Sequence, residues 1–176
     1  MNLLESLLSL LNKEEKPLHA GEVMHLWKIM AAFTDGHTLL LVLLNHASDT
    51  ELKRYIESFT KDFEEPWMKR FTDFMQNEGI PLPPASAVHP KANHNEIPLG
   101  AKFTDGEIAS VIAAKVLTGT AFVQAAILDT LHYGLARMLM ELELAAYRQA
   151  FVLRQLMEER GWMKAPPAWN QRSRPN

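Results

Sequence analysis

The sequence predicts an all-α protein built as a four-helix bundle, and three observations support this prediction. Apolar residues recur every three or four positions over long stretches, which is the period of a helix buried on one face. Capping residues and glycines mark where these stretches begin and end. A proline-rich segment separates the second stretch from the third. We assign residues 17–165 to the bundle, with an amphipathic segment (1–16) before it and a tail (166–176) after it.

The first two bundle helices are predicted at 20–46 and 50–78. The apolar stripe of the first helix has one gap, which His37 fills. Pro66 lies inside the second helix and is expected to kink it, because proline lacks the backbone donor that a helix needs. Gly79 ends this helix. The two stripes consist of Val23, Leu26, Met30, Phe33, Leu40 and Leu44, and of Leu52, Ile56, Phe59, Phe63, Trp67, Phe71 and Phe74.

The segment 80–102 is rich in proline and joins the two halves of the bundle. A connection of this length can run along the whole bundle, so that the third helix (104–131) lies parallel to the second. A tight break at Tyr133 and Gly134 then leads into the fourth helix (135–160). Two hairpins joined by a long crossover give the order of helices found in ferritin-like bundles.

The two ends of the chain are less regular than the bundle. The leucine-rich segment 1–16 is expected to form a short helix; it lacks the features of a secretory signal and is too short to span a bilayer. The chain beyond Gly161 carries Trp162 and Trp169, so part of this segment, which leads into the tail, is expected to pack on the bundle.

The composition is that of a folded protein without a strong charge preference. Apolar residues make up 47% of the chain and the net charge is −3, so nothing points to a nucleic-acid partner. The absence of cysteine excludes disulfides and thiolate chemistry, and it fits a reducing compartment. We therefore expect a cytoplasmic protein that is not inserted in a membrane.

A bundle with this order of helices can hold two irons at its centre. That site needs a Glu from each of two helices and a Glu-x-x-His pair from each of the other two. Of the seven histidines, none lies in the second or the fourth predicted helix. The apolar stripe of the second helix also carries no carboxylate. We therefore expect neither a di-iron centre nor any other resident cofactor in the middle of the bundle.

Two carboxylate-x-x-His pairs could instead hold a single divalent metal at one end of the bundle. Glu22 and His25 begin the first helix, and Asp129 and His132 end the third. A spacing of three places each pair on one face, and antiparallel first and third helices would bring the pairs together. Such ligands suit zinc, iron or manganese. The structural alternative is that Glu22 stabilises a helix dipole and that the histidines lie at the surface.

His37 occupies a core position of the first helix and has two interpretations. It could be a ligand or a proton acceptor. It could also be a buried neutral imidazole that hydrogen-bonds to a neighbouring helix, for example to Gln149 or Thr118. We favour the second interpretation. Asp35-Gly36 could instead mark a break in the helix, but the unbroken phase from Phe33 to Leu40 argues against a break.

The run Leu39–Leu44 is apolar on every face of its helix. A helix of a monomeric bundle should present a polar face to water. We therefore expect the run to be covered on both sides, by the bundle and either by a second copy of the chain or by the N-terminal segment. The first possibility predicts a homodimer.

Several short motifs resemble one family over nearly the whole chain beyond residue 17. They are the opening Ala-Gly-Glu-Val-Met-His-Leu-Trp (20–27), Gly-Ile-Pro (79–81), Phe-Thr-Asp (103–105) and the Gly-x-x-x-x-Pro-Pro ending (161–167). They are similar to an uncharacterised ferritin-like family of endospore-forming bacteria, the domain of unknown function 3231. The resemblance implies a four-helix ferritin-like fold, no established activity and kinship with spore-coat proteins. Related sequences tend to carry a His where this chain has Pro66 and Trp67.

The expected function is that of a non-enzymatic, self-associating bundle with a link to the spore coat and to protein partners there. The alternative is a metal-binding or metal-dependent oxidoreductase bundle that uses Glu22, His25, Asp129 and His132. A bundle that binds a small molecule between its helices is the third hypothesis.

Overall fold

The computed structural model describes residues 3–11, 14, 16–87 and 89–167, and it contains helices and no strand within these residues. A π-helical segment, Phe59–Glu64, joins α3 to α4 without a gap, so that the three together form the second bundle helix. The α-helices are α1 (Leu3–Leu10), α2 (Ala20–His46), α3 (Thr50–Ser58), α4 (Glu65–Asn77), α5 (Asp105–Asp129) and α6 (Tyr133–Glu159). The predicted all-α bundle and its short N-terminal helix are confirmed.

Contacts between the helix ends establish the direction of each helix. At one end of the bundle, Asp129 contacts His25 and the ring of His132 packs edge-on against Phe74. At the opposite end, Asp105 accepts hydrogen bonds from Ser48. Helix α5 is therefore antiparallel to α2 and parallel to the second bundle helix, as the sequence predicted.

The connection between α4 and α5 runs along α2 from one end of the bundle to the other. Ser86 donates a hydrogen bond to Asp35 in the middle of α2. Further along, Asn45 donates to the carbonyl of Pro90, and His94 contacts the carbonyl of His46. The predicted long crossover is confirmed.

Glycines end two of the bundle helices. Gly79 and Gly161 follow α4 and α6 with φ of 69° and 68°, in the left-handed region where a side chain would be strained. After each glycine, the next amide donates back into the last helical turn. The break before α6 lies at 130–132 and not at Tyr133 and Gly134, where it was predicted. His132 caps α6, and Gly134 is already helical.

A π-helical segment lies directly before Pro66, where a kink was predicted. The amide of Glu65 donates to the carbonyl of Thr60, five residues earlier instead of four. Pro66, the second residue of α4, has no amide hydrogen to donate. The wider π-helical turn before it relieves the clash between its ring and the preceding carbonyl. The extra residue changes the phase of the helix, so the face buried before the segment differs from the face buried after it.

The core is one continuous apolar cluster between the four bundle helices. Its largest fully buried side chains are Phe59, Phe71, Leu26, Leu40, Leu43, Leu52, Ile56, Met75, Ile108, Ile112, Leu135 and Leu139. Beyond α6, Trp162 packs on this cluster and lies against Gly106, where an added Cβ would meet its ring at 3.3 Å. Packing of the segment beyond Gly161 is thus confirmed at Trp162, whereas Trp169 lies outside the described residues.

Candidate functional site

Glu22 is the centre of a hydrogen-bond network at one end of the bundle. Its side chain is 1% exposed. One carboxylate oxygen accepts from the Thr130 hydroxyl at 2.5 Å and from the amides of Leu131 and His132 at 2.7 and 2.9 Å. The other accepts from the amide of His19 at 2.8 Å, in a capping box at the start of α2. Glu22 therefore fastens the loop between α5 and α6 to α2.

These hydrogen bonds decide the charge of Glu22. Burial alone would raise its pKa, but the Thr130 hydroxyl and the amides of His19, His132 and Leu131 all stabilise the carboxylate. Together they lower the pKa of Glu22 from 4.5 to about 2. The group is ionised at neutral pH, and these hydrogen bonds stabilise its charge.

The other three residues of the predicted metal site lie at the same end of the bundle. His25 Nε2 is 3.0 Å from an oxygen of Asp129. His132 Nδ1 accepts the amide of Leu135 at 3.1 Å and thereby caps α6. The predicted gathering of the two pairs is correct, but both oxygens of Glu22, Nε2 of His25 and Nδ1 of His132 are engaged in hydrogen bonds.

This arrangement favours the structural interpretation of the four residues. Across the part of the chain that the structure describes, no group of three His, Asp or Glu side chains is arranged to hold a metal ion. A single divalent metal between Glu22, His25, Asp129 and His132 therefore stays a prediction. Binding would require Glu22 to release the loop that it holds.

A second buried glutamate, Glu64, lies in the middle of the bundle. Its side chain is 0% exposed, and each of its oxygens has a partner on a different helix. The Lys115 ammonium of α5 donates to one oxygen at 2.5 Å, and His37 Nδ1 of α2 lies 3.2 Å from the other. Burial raises the pKa of Glu64, and the favourable contacts with Lys115 and His37 oppose that rise.

The backbone of α2 is shaped to admit the lysine. Gly36 is buried, and a Cβ there would lie 2.2 Å from Cε of Lys115. Any side chain at this position would therefore displace the ammonium from Glu64. Lys115 also lies 5.4 Å from the ring centre of Phe59, within range of a cation–π contact.

Two predictions about this cluster need correction. The buried face of the second bundle helix does carry a carboxylate, because the π-helical segment turns Glu64 inward beside Phe63. His37 contacts a neighbouring helix, as the second interpretation predicted, but its partner is Glu64 rather than Gln149 or Thr118, and its ring is half-buried rather than buried. A proline within a helical pattern was the signal that a π-helical turn could precede it.

The most exposed apolar surface lies on the outer sides of α5 and α6. Leu117 and Leu128 on α5 are 73% and 79% exposed, and Phe151 on α6 is 64% exposed. Leu144 lies seven residues before Phe151 and thus on the same side of α6. Between residues 108 and 128 the sole charged residue is Lys115, which points inward to Glu64. We call the outward side of the two helices the α5–α6 face.

The run Leu39–Leu44 is not such a surface. Leu40 and Leu43 are in the core, Leu41, Val42 and Leu44 are half-buried, and Leu39 alone is exposed. The crossover contacts α2 on either side of this run, at Asp35 and at Asn45. An interface on the run stays a prediction, and the α5–α6 face exposes more of its apolar side chains.

Two segments, Ala20–His46 and Leu99–Asp129, are long and apolar enough to cross a membrane by length and composition. Buried helices of soluble proteins pass the same test, and α2 forms part of the core. The expectation that the chain is not inserted in a membrane remains a prediction.

Known proteins resemble the chain over most of its length. It is 30% identical to the uncharacterised protein YvdQ of Bacillus subtilis (strain 168) over 157 residues, which cover 89% of this chain and 91% of that protein. A crystal structure from Bacillus halodurans C-125, named a "putative spore coat protein", superposes with a TM-score of 0.85 at 26% identity. The match covers 89% of this chain and 98% of that one.

The family comparison agrees with the resemblance noted in the sequence. The sequence model of the DUF3231 family, which is described as "Protein of unknown function", matches residues 7–174. This range is nearly the whole chain. The match includes the Glu22 network, the Glu64 cluster and the α5–α6 face. The chain therefore belongs to the DUF3231 family.

Proposed function

We propose that this protein is a non-enzymatic structural bundle that forms a homodimer through the α5–α6 face and acts in association with the spore. The single observation that supports self-association is the uncharged outward side of α5. Leu117 and Leu128 stand exposed there, while the charge of Lys115 is directed into the bundle. Exposed apolar surface of this extent is typical of sites where proteins associate.

The size of the face suits a stable dimer. The 25 residues of α5 extend about 37 Å, and two packed helices present a width of about 20 Å. The face is therefore on the order of 700 Å², close to the roughly 800 Å² that each partner contributes to a stable interface. A second copy supplies an equally apolar surface through a two-fold axis, which is the commonest form of association.

The link with the spore is supported by the comparison with the Bacillus halodurans protein, which is named for the spore coat. We propose that this chain is synthesised in the cytoplasm and associates with coat proteins, and that its order of helices reflects a ferritin-like ancestry. The bonded state of Glu22 and Glu64 supports a role without a catalytic metal, since both carboxylates have hydrogen-bond partners.

Sedimentation velocity at micromolar concentration tests self-association. We expect a dimer for the natural chain and a monomer for Leu117→Glu and Phe151→Glu, because each change places a charge in the centre of an apolar interface. Leu99→Glu is the matched control: Leu99 is 89% exposed but lies in the crossover, so this variant should remain a dimer.

A monomeric natural chain, or dimers that persist in both α5–α6 variants, would contradict the proposal. A lipid surface is the other occupant that an apolar face could bind. Flotation of the natural chain with neutral vesicles, lost in Leu117→Glu, would replace the dimer with a membrane-surface function.

A further inference from the structure

A cavity of about 380 Å³ lies in the middle of the bundle, apart from the Glu22 network and the α5–α6 face. It is bounded by α2, the π-helical segment, α5 and α6. Apolar side chains form most of its wall, among them Phe33, Phe59, Phe63, Val116, Phe122 and Leu142. Leu39 and Phe122 are exposed and lie at its opening between α2 and α5.

A space of this kind suits an apolar occupant better than water. Protein interiors are close-packed, and voids much larger than a water molecule are rare in them. Water in an apolar cavity lacks hydrogen-bond partners, and a cavity of about 150 Å³ lined by Leu, Ile and Phe is known to stay dry and to bind benzene. The cavity of this protein falls within the size range of small-molecule sites.

The charges at the wall select against an ionic ligand. Lys115 is the one charged residue among those that line the cavity, and its ammonium donates to Glu64 at 2.5 Å. The two charges balance, so the wall has no net charge to offer a ligand. A carboxylate in the cavity would lie near the buried carboxylate of Glu64 and would compete with it for the same lysine, which is unfavourable.

We propose that the cavity binds a neutral, medium-sized hydrophobic molecule, such as an aliphatic alcohol or an aromatic ring compound. Lys115 forms part of the wall, and its pairing with Glu64 behind it disfavours anionic analogues. Binding of this kind is independent of the proposed dimer, because the cavity lies between the helices of one chain.

Isothermal titration of the full chain at pH 7 with 1-octanol and with sodium octanoate tests the ligand class. We expect 1-octanol to bind with one molecule per chain and to raise the melting temperature. Octanoate, which has the same chain length and a negative charge, should bind at least tenfold more weakly. Equal affinities, or no binding of 1-octanol up to its solubility, would overturn the proposal.

A variant at Gly119 locates the site. Gly119 lines the cavity, and a Cβ added there would meet no heavy atom within 4 Å, so a larger side chain can enter without a clash. Gly119→Leu should reduce the affinity for 1-octanol at least tenfold while unfolding stays cooperative. Gly100→Leu is the matched control: a Cβ at Gly100 also meets no heavy atom within 4 Å, but Gly100 lies in the crossover and does not line the cavity, so this variant should bind as the natural chain does. Unchanged affinity in Gly119→Leu would place the ligand elsewhere and overturn the proposal.

The same titration on the monomeric variant Leu117→Glu separates the ligand from the dimer. Equal affinity in the natural chain and in this variant is expected. If 1-octanol bound the variant alone, a second copy would already fill the cavity in the natural chain, and the proposal of a ligand site would be wrong.

Discussion

Two buried glutamates hold this bundle together in opposite ways. Glu22, at one end, accepts hydrogen bonds from three backbone amides and one hydroxyl, and its pKa falls to about 2. Glu64, in the middle, has two side-chain partners, Lys115 and His37, and burial raises its pKa. The two pKa values move in opposite directions because Glu64, in the middle of the bundle, is desolvated more strongly, and because Glu22 accepts more hydrogen bonds that stabilise its charged form.

The two glutamates have different structural roles. The Glu22 carboxylate closes a loop and caps a helix, which is a local task. The Glu64 carboxylate neutralises Lys115, the one charged residue between positions 108 and 128 of α5. The absence of charge on the outward side of this part of α5 goes with the second arrangement and not with the first.

Breaking the Glu64–Lys115 pair should have the largest effect on stability. Lys115→Met leaves the carboxylate buried without its main partner, and we expect a loss of about 3 kcal/mol in the free energy of unfolding, measured in urea at pH 7. The double variant Lys115→Met, Glu64→Leu replaces both charges with apolar groups. It should recover to within about 1 kcal/mol of the natural chain. A single variant as stable as the natural chain would show that the pair is not desolvated.

Glu22→Gln should lower the free energy of unfolding nearly as much at neutral pH, and hardly at all in acid. The pKa of Glu22 is about 2 in the folded chain and 4.5 when unperturbed. Folding lowers this pKa, so the stabilisation is fully present above pH 4.5 and is lost as the pH falls toward 2. The shift corresponds to about 3 kcal/mol. Thermal unfolding between pH 2 and pH 7 should show the two chains converging in acid.

Glu107→Gln is the matched control for that experiment. Glu107 occupies the same capping-box position at the start of α5 as Glu22 does at the start of α2, but it is exposed. It accepts from Thr104 alone, so its replacement should have a clearly smaller effect. Equal effects at Glu22 and Glu107 would mean that capping, and not the buried network, accounts for the stabilisation.

Two glycine substitutions should have smaller effects on stability. Gly36→Ala would push the Lys115 ammonium away from Glu64 and should destabilise the protein by about 1 kcal/mol, despite the better helix propensity of alanine. Gly119→Ala meets no neighbour and should stabilise it by about 1 kcal/mol. Urea unfolding of the two variants shows whether each change raises or lowers the free energy of unfolding. A stabilising Gly36→Ala would show that Lys115 is free to move without loss.

Most of the fold could be predicted from the sequence because it depends on local signals. Helical periodicity gave α2 with the bounds that the structure has, and Gly79 and Gly161 marked the ends of two helices. The length of the crossover predicted the parallel pair of helices. The gathering of Glu22, His25, Asp129 and His132 at one end followed from the same topology.

The role of these four residues could not be predicted in the same way. Whether Glu22 binds a metal or backbone amides depends on the path of residues 130–132. Helical periodicity does not predict the geometry of a loop. Glu64 was missed for a related reason. One extra residue in the π-helical segment changes the phase of the helix, and the periodic pattern assumes a constant phase.

The cover of Leu39–Leu44 could not be predicted, because an apolar run does not indicate which part of the protein contacts it. The crossover, which has no periodic pattern of its own, runs beside α2 there. The sequence pattern also did not single out Leu117 and Leu128, which project from α5.

The association of two chains through the α5–α6 face is the central claim, and a spin-label distance tests it most directly. The chain has no cysteine, so Ala121→Cys on the outward side of α5 takes a single label. In a two-fold dimer the label lies near the axis, and we expect an intermolecular distance below about 30 Å. A label at Leu99→Cys, in the crossover, should give a longer distance. The absence of intermolecular coupling at Ala121→Cys in a sample that sediments as a dimer would contradict the claim.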